Sequence, residues 1–330
     1  MIITRTPFRV SFAGGGSDLP SFYRRHEGCV LSMTINKYMY VSIHPTFNRD
    51  ETVVKYSQTE IVRDVRAVQH PIARQLLLDY GIDGVEIVST ADVPAGTGLS
   101  TSSAYTVGLI HALNAFRGKL CSQERIAREA CELEIEKLGE PIGKQDQYGT
   151  AVGGLKFIRF KSDESVEVEP LAVSRQKLSE LEGNLLLFYT GLTHSAGEIL
   201  QEQNKNVAGE DKKFQNLVKM TELAYELREA VVAGKLDDFG RILNENWLLK
   251  RELASQISND KIGKYYDLAM ANGALGGKLL GAGGGGFLLF YCPKEKQKRL
   301  RSALSDLWEL PFAMESSGTK IIYVGDKDWN

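Results

Sequence analysis

The sequence has 330 residues, 43% of them apolar and 25% charged, ordinary values for a globular chain with room for one large or two ordinary domains. Lys and Arg total 40 against 42 Asp and Glu, a formal net charge of −2 with no block of like charge, which excludes a general nucleic-acid surface. The cysteines Cys29, Cys121, Cys131 and Cys292 form no CxxC pair and lack partnered histidines, so neither a zinc site nor a disulfide framework is indicated. The start, MIITRTPFRV, lacks a signal-peptide apolar core, and no apolar run reaches membrane-spanning length. A cytoplasmic protein with free thiols and no membrane or nucleic-acid partner is expected.

In chain order, Ile2 to Phe12 alternates well enough for a strand, and Val30 to Ile43 gives a longer extended segment. Val53 to Ser57 and Val85 to Ser89 add two strands. Ser102 to Phe116 carries Val107, Ile110 and Leu113 at helical spacing, Gln123 to Leu138 reads as another helix, and Gly153 to Phe160 returns to strand. A buried strand is expected at Leu185 to Tyr189. Successive helices follow at Asp211 to Ala233, Asp237 to Ile257 and Lys261 to Ala271, separated by Gly234 and Ser258-Asn259. Strands at Phe287 to Tyr291 and Lys320 to Val324 close the chain around a helix at Lys294 to Leu307. Strands grouped apart from a run of helices predict an α+β class, with a domain boundary near residues 175–184.

Three glycine-bearing segments stand out. Asp92-Val-Pro-Ala-Gly-Thr-Gly-Leu-Ser-Thr-Ser-Ser-Ala104 follows a strand, enters a helix and is rich in hydroxyls. Glycines let backbone approach a ligand, and a helix N-terminus offers free N–H groups, so the segment can cradle phosphate; an ordinary Ser/Thr helix cap would account for the same residues. Gly281-Ala-Gly-Gly-Gly-Gly286 formally fits GxGxxG but runs directly into the strand Phe287–Tyr291, the wrong context for a dinucleotide fold. Close approach to a ligand or to another backbone is expected there instead. Thr6-Pro-Phe-Arg-Val-Ser-Phe-Ala-Gly-Gly-Gly-Ser-Asp18 places an arginine and an aspartate at either end of an apolar strand and glycine turn. No Walker A motif is present; Gly139 to Gln145 has Gln where Ser or Thr would be required.

These three segments, in this order, resemble the three motifs of the GHMP kinases, over Thr4 to Phe287. One departure is Gly98-Leu-Ser-Thr-Ser102 in place of the usual Gly-Leu-Gly-Ser-Ser. Within that superfamily the chain is most similar to the D-glycero-D-manno-heptose 7-phosphate kinases, through Arg5-Thr-Pro-Phe-Arg-Val-Ser-Phe12, Gly14-Gly-Gly-Ser-Asp18, Gly143-Lys-Gln-Asp-Gln-Tyr148 and Leu185-Leu-Leu-Phe-Tyr-Thr-Gly191. Galactokinases carry Glu-His where Gly15-Gly16 stands here, which disfavours galactose, and fucose-type kinases share a Gln-Asp-Gln element, which makes L-fucose the nearest rival acceptor.

The resemblance implies a two-domain α+β GHMP kinase fold. Residues 1–180 would form an N-terminal mixed α/β domain, ribosomal protein S5 domain 2-like, and residues 181–330 a C-terminal α+β domain. It implies an ATP-dependent sugar kinase that phosphorylates the C1 hydroxyl of a heptose 7-phosphate, with Mg²⁺ as cofactor, and leaves a homodimer open. Asp146 matches the catalytic aspartate, suited to accept the hydroxyl proton, and Arg9 the basic residue that neutralises developing charge near it; a helix-capping Asp and a surface strand Arg are the plain alternatives. Nucleotide contacts are implied for Pro94, Gly96, Thr97, Gly98, Leu99, Ser100, Thr101, Ser102, Ser103, Gly283 and Gly284. Ser102 and Glu134 correspond to the magnesium ligands, a sufficient set because Mg²⁺ keeps few protein oxygens; Glu136 is the competing carboxylate. Acceptor contacts are implied for Gly15, Gly16, Ser17, Asp18 and Gly285. Lys144, where fucose-type kinases carry an aromatic residue, either holds the acceptor's distal phosphate or merely tunes Asp146 or reaches solvent. Two other classes remain to be weighed. A pseudokinase should lack the base or metal ligands, whereas Asp146, Ser102 and Glu134 are all present, and an NAD-dependent oxidoreductase is disfavoured by the context of residues 281–286.

Overall fold

The structure is a computed structural model that describes residues 1–193 and 196–325. The alternating N-terminal segment forms β1 (Ile2–Ala13), which pairs antiparallel with the 18-residue β2 (Gly28–Pro45). Both halves of β2 have a second partner. Its first half pairs with β6 (Leu155–Phe160), which in turn pairs with β7 (Val166–Pro170). Its second half pairs with β5 (Val85–Ala91), itself parallel to β3 (Thr52–Lys55), and β4 (Thr59–Val62) closes that edge. The second sheet holds β8 (Leu185–Tyr189), β9 (Gly276–Leu279), β10 (Phe287–Tyr291) and β11 (Trp308–Glu309) in the order β11-β8-β10-β9. The last strand, β12 (Lys320–Val324), returns to the first sheet and pairs with β1.

The helices are α1 (Pro20–Tyr23), α2 (Pro71–Tyr80), α3 (Thr101–Phe116), α4 (Gln123–Cys131) and α5 (Gln145–Ala151), then α6 (Arg175–Asn184), α7 (Ala196–Gly209), α8 (Asp211–Ala233), α9 (Leu236–Arg251), α10 (Asp260–Ala271) and α11 (Gln297–Ala303). β1 is buried along its last eight residues (Phe8, Val10 and Phe12 at 0% exposure), so apolar and polar positions alike face protein there. Covering helices explain this: α3 and α5 pack on β1 and β2, and α8 and α9 also reach β1. Phe12 meets Phe239 of α9 edge to face, with ring centres 5.1 Å apart. One apolar core therefore runs from β1 and β2 through α8 and α9 to Leu187 and Leu289 of the second sheet. A satellite core around Trp247, Tyr266, Phe188 and Phe290 fills the far side of that sheet.

The helices expected over 102–116, 211–233 and 261–271 and the strands expected at 185–189, 287–291 and 320–324 are present. The segment 175–184, expected to carry a boundary, is instead the helix α6, capped by Ser174 accepting from the Lys177 N–H at 3.4 Å. The expected division at 180/181 thus falls inside a helix, and residues 320–324 belong to the first sheet. The short, polar strands β4 and β7 carried too weak a period to be read, whereas α2, with Ile72, Ala73, Leu76, Leu77 and Tyr80 buried at helical spacing, was legible and missed.

Lys156 on β6 is fully buried behind Arg9, its Nζ donating to the Gly154 carbonyl at 3.2 Å. Burial, with the Arg9 charge adding to it, holds its pKa down at about 7. The unfolded chain keeps this lysine charged up to its ordinary pKa near 10.4, so it binds more protons than the native state between those values, and stability rises with pH across that window. Lys156→Met should therefore be more stable than the parent at pH 7, by a margin that shrinks towards pH 10, as read from urea midpoints across that range. An equal margin at both ends would show that Lys156 is not neutralised by folding.

Candidate active site

Segments distant in sequence meet at the C-terminal half of β1. Arg9, 2% exposed, takes a backbone bond to the Leu99 carbonyl at 3.3 Å, and its Nη1 donates to the Gly98 carbonyl at 2.8 Å. Its Nε and Nη2 both reach Asp146 Oδ1 of α5, at 2.9 and 2.7 Å. The hydroxyl-rich loop leading into α3 touches the glycine turn between β9 and β10 with no side chain between them. Gly98 (φ 82°) packs on the Leu280–Gly281 backbone so closely that a Cβ on it would lie 2.4 Å from the Leu280 carbonyl oxygen. The Phe287 N–H donates to the Thr97 carbonyl at 3.2 Å, which ties the second sheet to this loop.

The first turn of α5 reads Gln145-Asp146-Gln147: Asp146 accepts from Arg9, and the two glutamines donate to two further carboxylates. Gln145 donates to Asp18 twice, from Nε2 to Oδ1 at 2.9 Å and from its backbone N–H to Oδ2 at 3.1 Å; the Gly16 N–H adds a third bond at 3.0 Å. Asp18 is 2% exposed, and burial, followed by the neighbouring Asp146 charge, pushes its pKa up against those bonds. Gln147 donates to Glu134 at 2.5 Å. Glu134 also accepts from Ser103 at 2.9 Å and Thr106 at 2.6 Å. Burial pushes its pKa up to about 7 despite these three donors. Glu134 reaches inward because α4 continues into a π-helical turn, Glu132–Lys137, which buries Leu133 and Glu134 and leaves Glu136 exposed. Such widened turns often mark functional positions.

A cavity of ≈ 500 Å³ opens between these segments, a size suited to a small-molecule site. Arg9, Gly15, Asp18, Gly96, Gly98, Ser100, Thr101, Ser102, Ser103, Glu134 and Asp146, all singled out in the sequence, line it. A larger cleft of ≈ 850 Å³, lined by Glu180, Asp237 and Lys294 among others, contains none of the motif residues. Several expected contacts turn elsewhere. Ser17 donates to the Gly14 and Cys29 carbonyls at 2.8 and 2.9 Å and pins the glycine turn. Leu99 is in the core, Pro94 is exposed outside the cavity, and Thr97 donates to the Pro94 carbonyl at 2.9 Å. Gly16 meets Gln203 rather than the cavity. Gly283 and Gly284 pack on the Ile257 backbone and Gly285 on Leu192, so Gly281 and Ala282 are the cavity-facing residues of that turn. Lys144 points away: its Nζ donates to the Glu164 carboxylate at 2.6 Å, and it lines a separate cleft with Tyr23 and Glu164.

The model of the GHMP kinases N terminal domain matches residues 65–154, and that of the GHMP kinases C terminal domain matches residues 227–310. The chain is 31% identical over 340 aligned residues to D-glycero-alpha-D-manno-heptose 7-phosphate kinase of Campylobacter jejuni, covering 99% of this chain and 98% of the relative. This chain is a GHMP kinase. The kinase also resembles the crystal structure of a D-glycero-D-manno-heptose 1-phosphate kinase from Bacteroides thetaiotaomicron, with a TM-score of 0.82 and 25% identity over 99% of this chain and 100% of that one. A bifunctional fucokinase/GDP-fucose pyrophosphorylase of Arabidopsis thaliana is 32% identical over 91% of this chain and 31% of its own length. The two family models span the second and third of the glycine-bearing segments in chain order, and the kinase is an ATP-dependent carbohydrate phosphotransferase.

Two residues that the sequence did not flag also line the cavity. Lys250 of α9 and Lys278 of β9 are buried at the cavity wall, with Lys278 Nζ donating to the Ser11 carbonyl at 2.8 Å. Their signal was hidden, because a lysine in an amphipathic helix or beside a glycine pair reads as a solvent group. Ser102 and Glu134 both line the cavity, and both Glu134 oxygens already accept from Ser103, Thr106 and Gln147. Among the described residues, no three His, Cys, Asp or Glu side chains gather into an all-protein metal site.

The sequence departure in the phosphate loop has a conformational consequence. Ser100 caps α3 at φ 64°, ψ 40°, the left-handed region where the family's usual glycine sits without strain. Its Oγ is buried without a partner. A non-glycine residue there costs about 1–2 kcal/mol, and a glycine gives back about 0.4–1 kcal/mol through the freer unfolded chain. Ser100→Gly should therefore stabilise the kinase by roughly 0.5–1 kcal/mol, read as a higher urea midpoint at unchanged slope. A lower midpoint would mean that the hydroxyl contributes more than the relieved backbone.

Proposed function

We propose that this kinase transfers the γ-phosphate of ATP to the anomeric C1 hydroxyl of a D-glycero-D-manno-heptose 7-phosphate, giving the 1,7-bisphosphate. The supporting observation is the meeting of Asp146, Arg9 and Asp18 beside the phosphate loop, in a chain similar along its whole length to a kinase of that name. The cytoplasm, where ATP and sugar phosphates are both available, is its place of work; among the described residues no helix is long and apolar enough to cross a membrane.

Arg9 spends both bonds to Asp146 on Oδ1, so Oδ2 is the oxygen that accepts the acceptor's hydroxyl proton. Its third bond, to the Gly98 carbonyl, fixes the distance between that oxygen and the phosphate loop. Positioning of this kind supplies most of the catalysis in phosphoryl transfer, whose transition state is loose and highly charged. Asp18 orients a sugar hydroxyl, because Gln145 and the Gly16 N–H hold its carboxylate from behind. The N-terminal N–H groups of α3 and the Thr101 and Ser102 side chains border the cavity, where they receive phosphate oxygens. Ser102 and Glu134 would hold Mg²⁺, which when bound neutralises charge on the phosphate oxygens. His70, Pro71 and Ile72 also line the cavity, with the His70 ring 4.8 Å from that of Tyr105, a less polar surface suited to a nucleobase.

Initial rates with ATP over heptose 7-phosphate, heptose, L-fucose and D-galactose test the assignment. The highest kcat/KM should fall on heptose 7-phosphate, and a clear preference for L-fucose would replace it with the fucose reading. Asp146→Asn should lower kcat by about 10²–10⁴, towards the low end because the transition state is loose, at unchanged KM for ATP. Near-normal turnover would remove Asp146 from the mechanism. Glu134→Ala should raise the Mg²⁺ concentration for half-maximal rate and Glu136→Ala should not; the reverse result would move the ligand by half a turn.

A further inference from the structure

A sugar phosphate brings a second, unreactive phosphate into the site, and a buried dianion needs a cation or several N–H donors to replace its water. Lys144 is already occupied: besides the Glu164 carboxylate it donates to the Glu164 carbonyl at 2.9 Å, and its Nζ lies 4.8 Å from the Tyr23 ring centre. Arg9 has its donors on Asp146 and Gly98. The fold delivers a different cation to the acceptor end. Lys250, in the last turn of α9, is 5% exposed and lines the cavity together with Gly15 and Asp18.

Two contacts hold it there. Its Nζ lies 3.0 Å from Gln203 Oε1 and 3.4 Å from the Gly15 carbonyl. Gln203 of α7 is fully buried and presses on the glycine turn so closely that a Cβ on Gly16 would lie 2.1 Å from its Nε2. That Nε2 has no hydrogen-bond partner. An ammonium carries three donors, and these two acceptors, one of them long, leave at least one N–H of Lys250 to give. Among the described residues no carboxylate lies within ion-pair distance of it. A fully buried cation without such a counter-ion is costly, and burial holds Lys250 down at about 8 even though Asp18 and Asp146 pull its pKa upward. An anionic ligand arriving at the cavity would remove that cost. Its bond to the Gly15 carbonyl places Lys250 at the glycine turn that leads to Asp18, the acceptor side in the functional reading above.

We propose that Lys250, positioned by Gln203, binds the phosphate that the acceptor already carries and so selects a sugar phosphomonoester over the free sugar. This rests on the functional reading above, that the acceptor is a heptose phosphate. The selecting group then lies on α9, in the second half of the chain, while the reacting groups Arg9 and Asp146 lie in the first.

The test compares Lys250→Met with the parent on D-glycero-D-manno-heptose 7-phosphate and on unphosphorylated D-glycero-D-manno-heptose. Loss of one charge-assisted bond should lower kcat/KM for the phosphorylated sugar by about 10- to 100-fold, mainly through KM, and leave the free heptose within about twofold. Lys250→Gln, which retains hydrogen-bonding capacity towards Gln203 without the charge, should show the same loss of selectivity and guards against a folding defect in the methionine variant. Equal losses on both acceptors, in both variants, would place Lys250 on the transferring phosphoryl group or in the fold and overturn the proposal, as would unchanged selectivity. A parent enzyme with no preference for the phosphorylated sugar would instead defeat the functional reading, and this inference with it, before any variant is compared.

Discussion

The buried guanidinium of Arg9 is the constraint on which the site depends. A charge in that position is tolerated only when its donors are matched, and the partners it finds are Asp146 Oδ1 and the carbonyl of Gly98. One planar group thereby joins three chain segments: strand β1, the loop before α3 and the first turn of α5. A lysine could not make this join, because a single ammonium on a flexible stem does not present a rigid fork. At Arg9 the strand pairs with β2, and its backbone N–H is held by the Leu99 carbonyl, while β12 secures the other edge over Ile2–Arg5.

Three carboxylates share this small space, and their surroundings set them apart. Asp18 and Glu134 are almost fully buried and are held by amide and hydroxyl donors, whereas Asp146 is nearly one-third exposed and paired with a cation. The tripeptide Gln145-Asp146-Gln147 organises all three: successive residues of a helix point about 100° apart, so the two glutamines diverge to Asp18 and Glu134 while the aspartate faces the cavity. Neutral glutamines suit this role, since a further carboxylate would add like charge and a lysine would add a cation that itself needs pairing.

Much of this was legible in the sequence where the chemistry was local. The phosphate loop, the Arg9 strand, Asp18, Asp146 and Glu134 were each marked by glycine placement, by helix period or by likeness to family motifs, and the cavity brings them together. Side-chain direction was not legible. Lys144 is adjacent to Asp146 in sequence, yet it precedes the first turn of α5 and leaves on the opposite side to meet Glu164. Ser17 and Thr97 look like ligand hydroxyls but satisfy backbone carbonyls that the turns leave exposed. Lys250 was invisible for the converse reason: its neighbour Arg251 and the polar face of α9 disguise a residue that long-range packing buries. The pairing of β12 with β1 likewise joins the two ends of the chain, and no local period announces such a contact.

The two halves of the chain contribute different things to one cavity. The first half holds Asp146, Arg9 and the hydroxyl-rich loop; the second presses the Gly281–Ala282 turn against that loop and brings Lys250 to the Gly15 carbonyl. The central claim is the site of transfer, and phosphorus-31 NMR of the product formed from ATP and D-glycero-D-manno-heptose 7-phosphate tests it most directly. The account predicts a new sugar phosphate resonance coupled to the anomeric proton, with the 7-phosphate signal retained. A product phosphorylated at any other hydroxyl, or ADP formed without a new sugar phosphate, would contradict it.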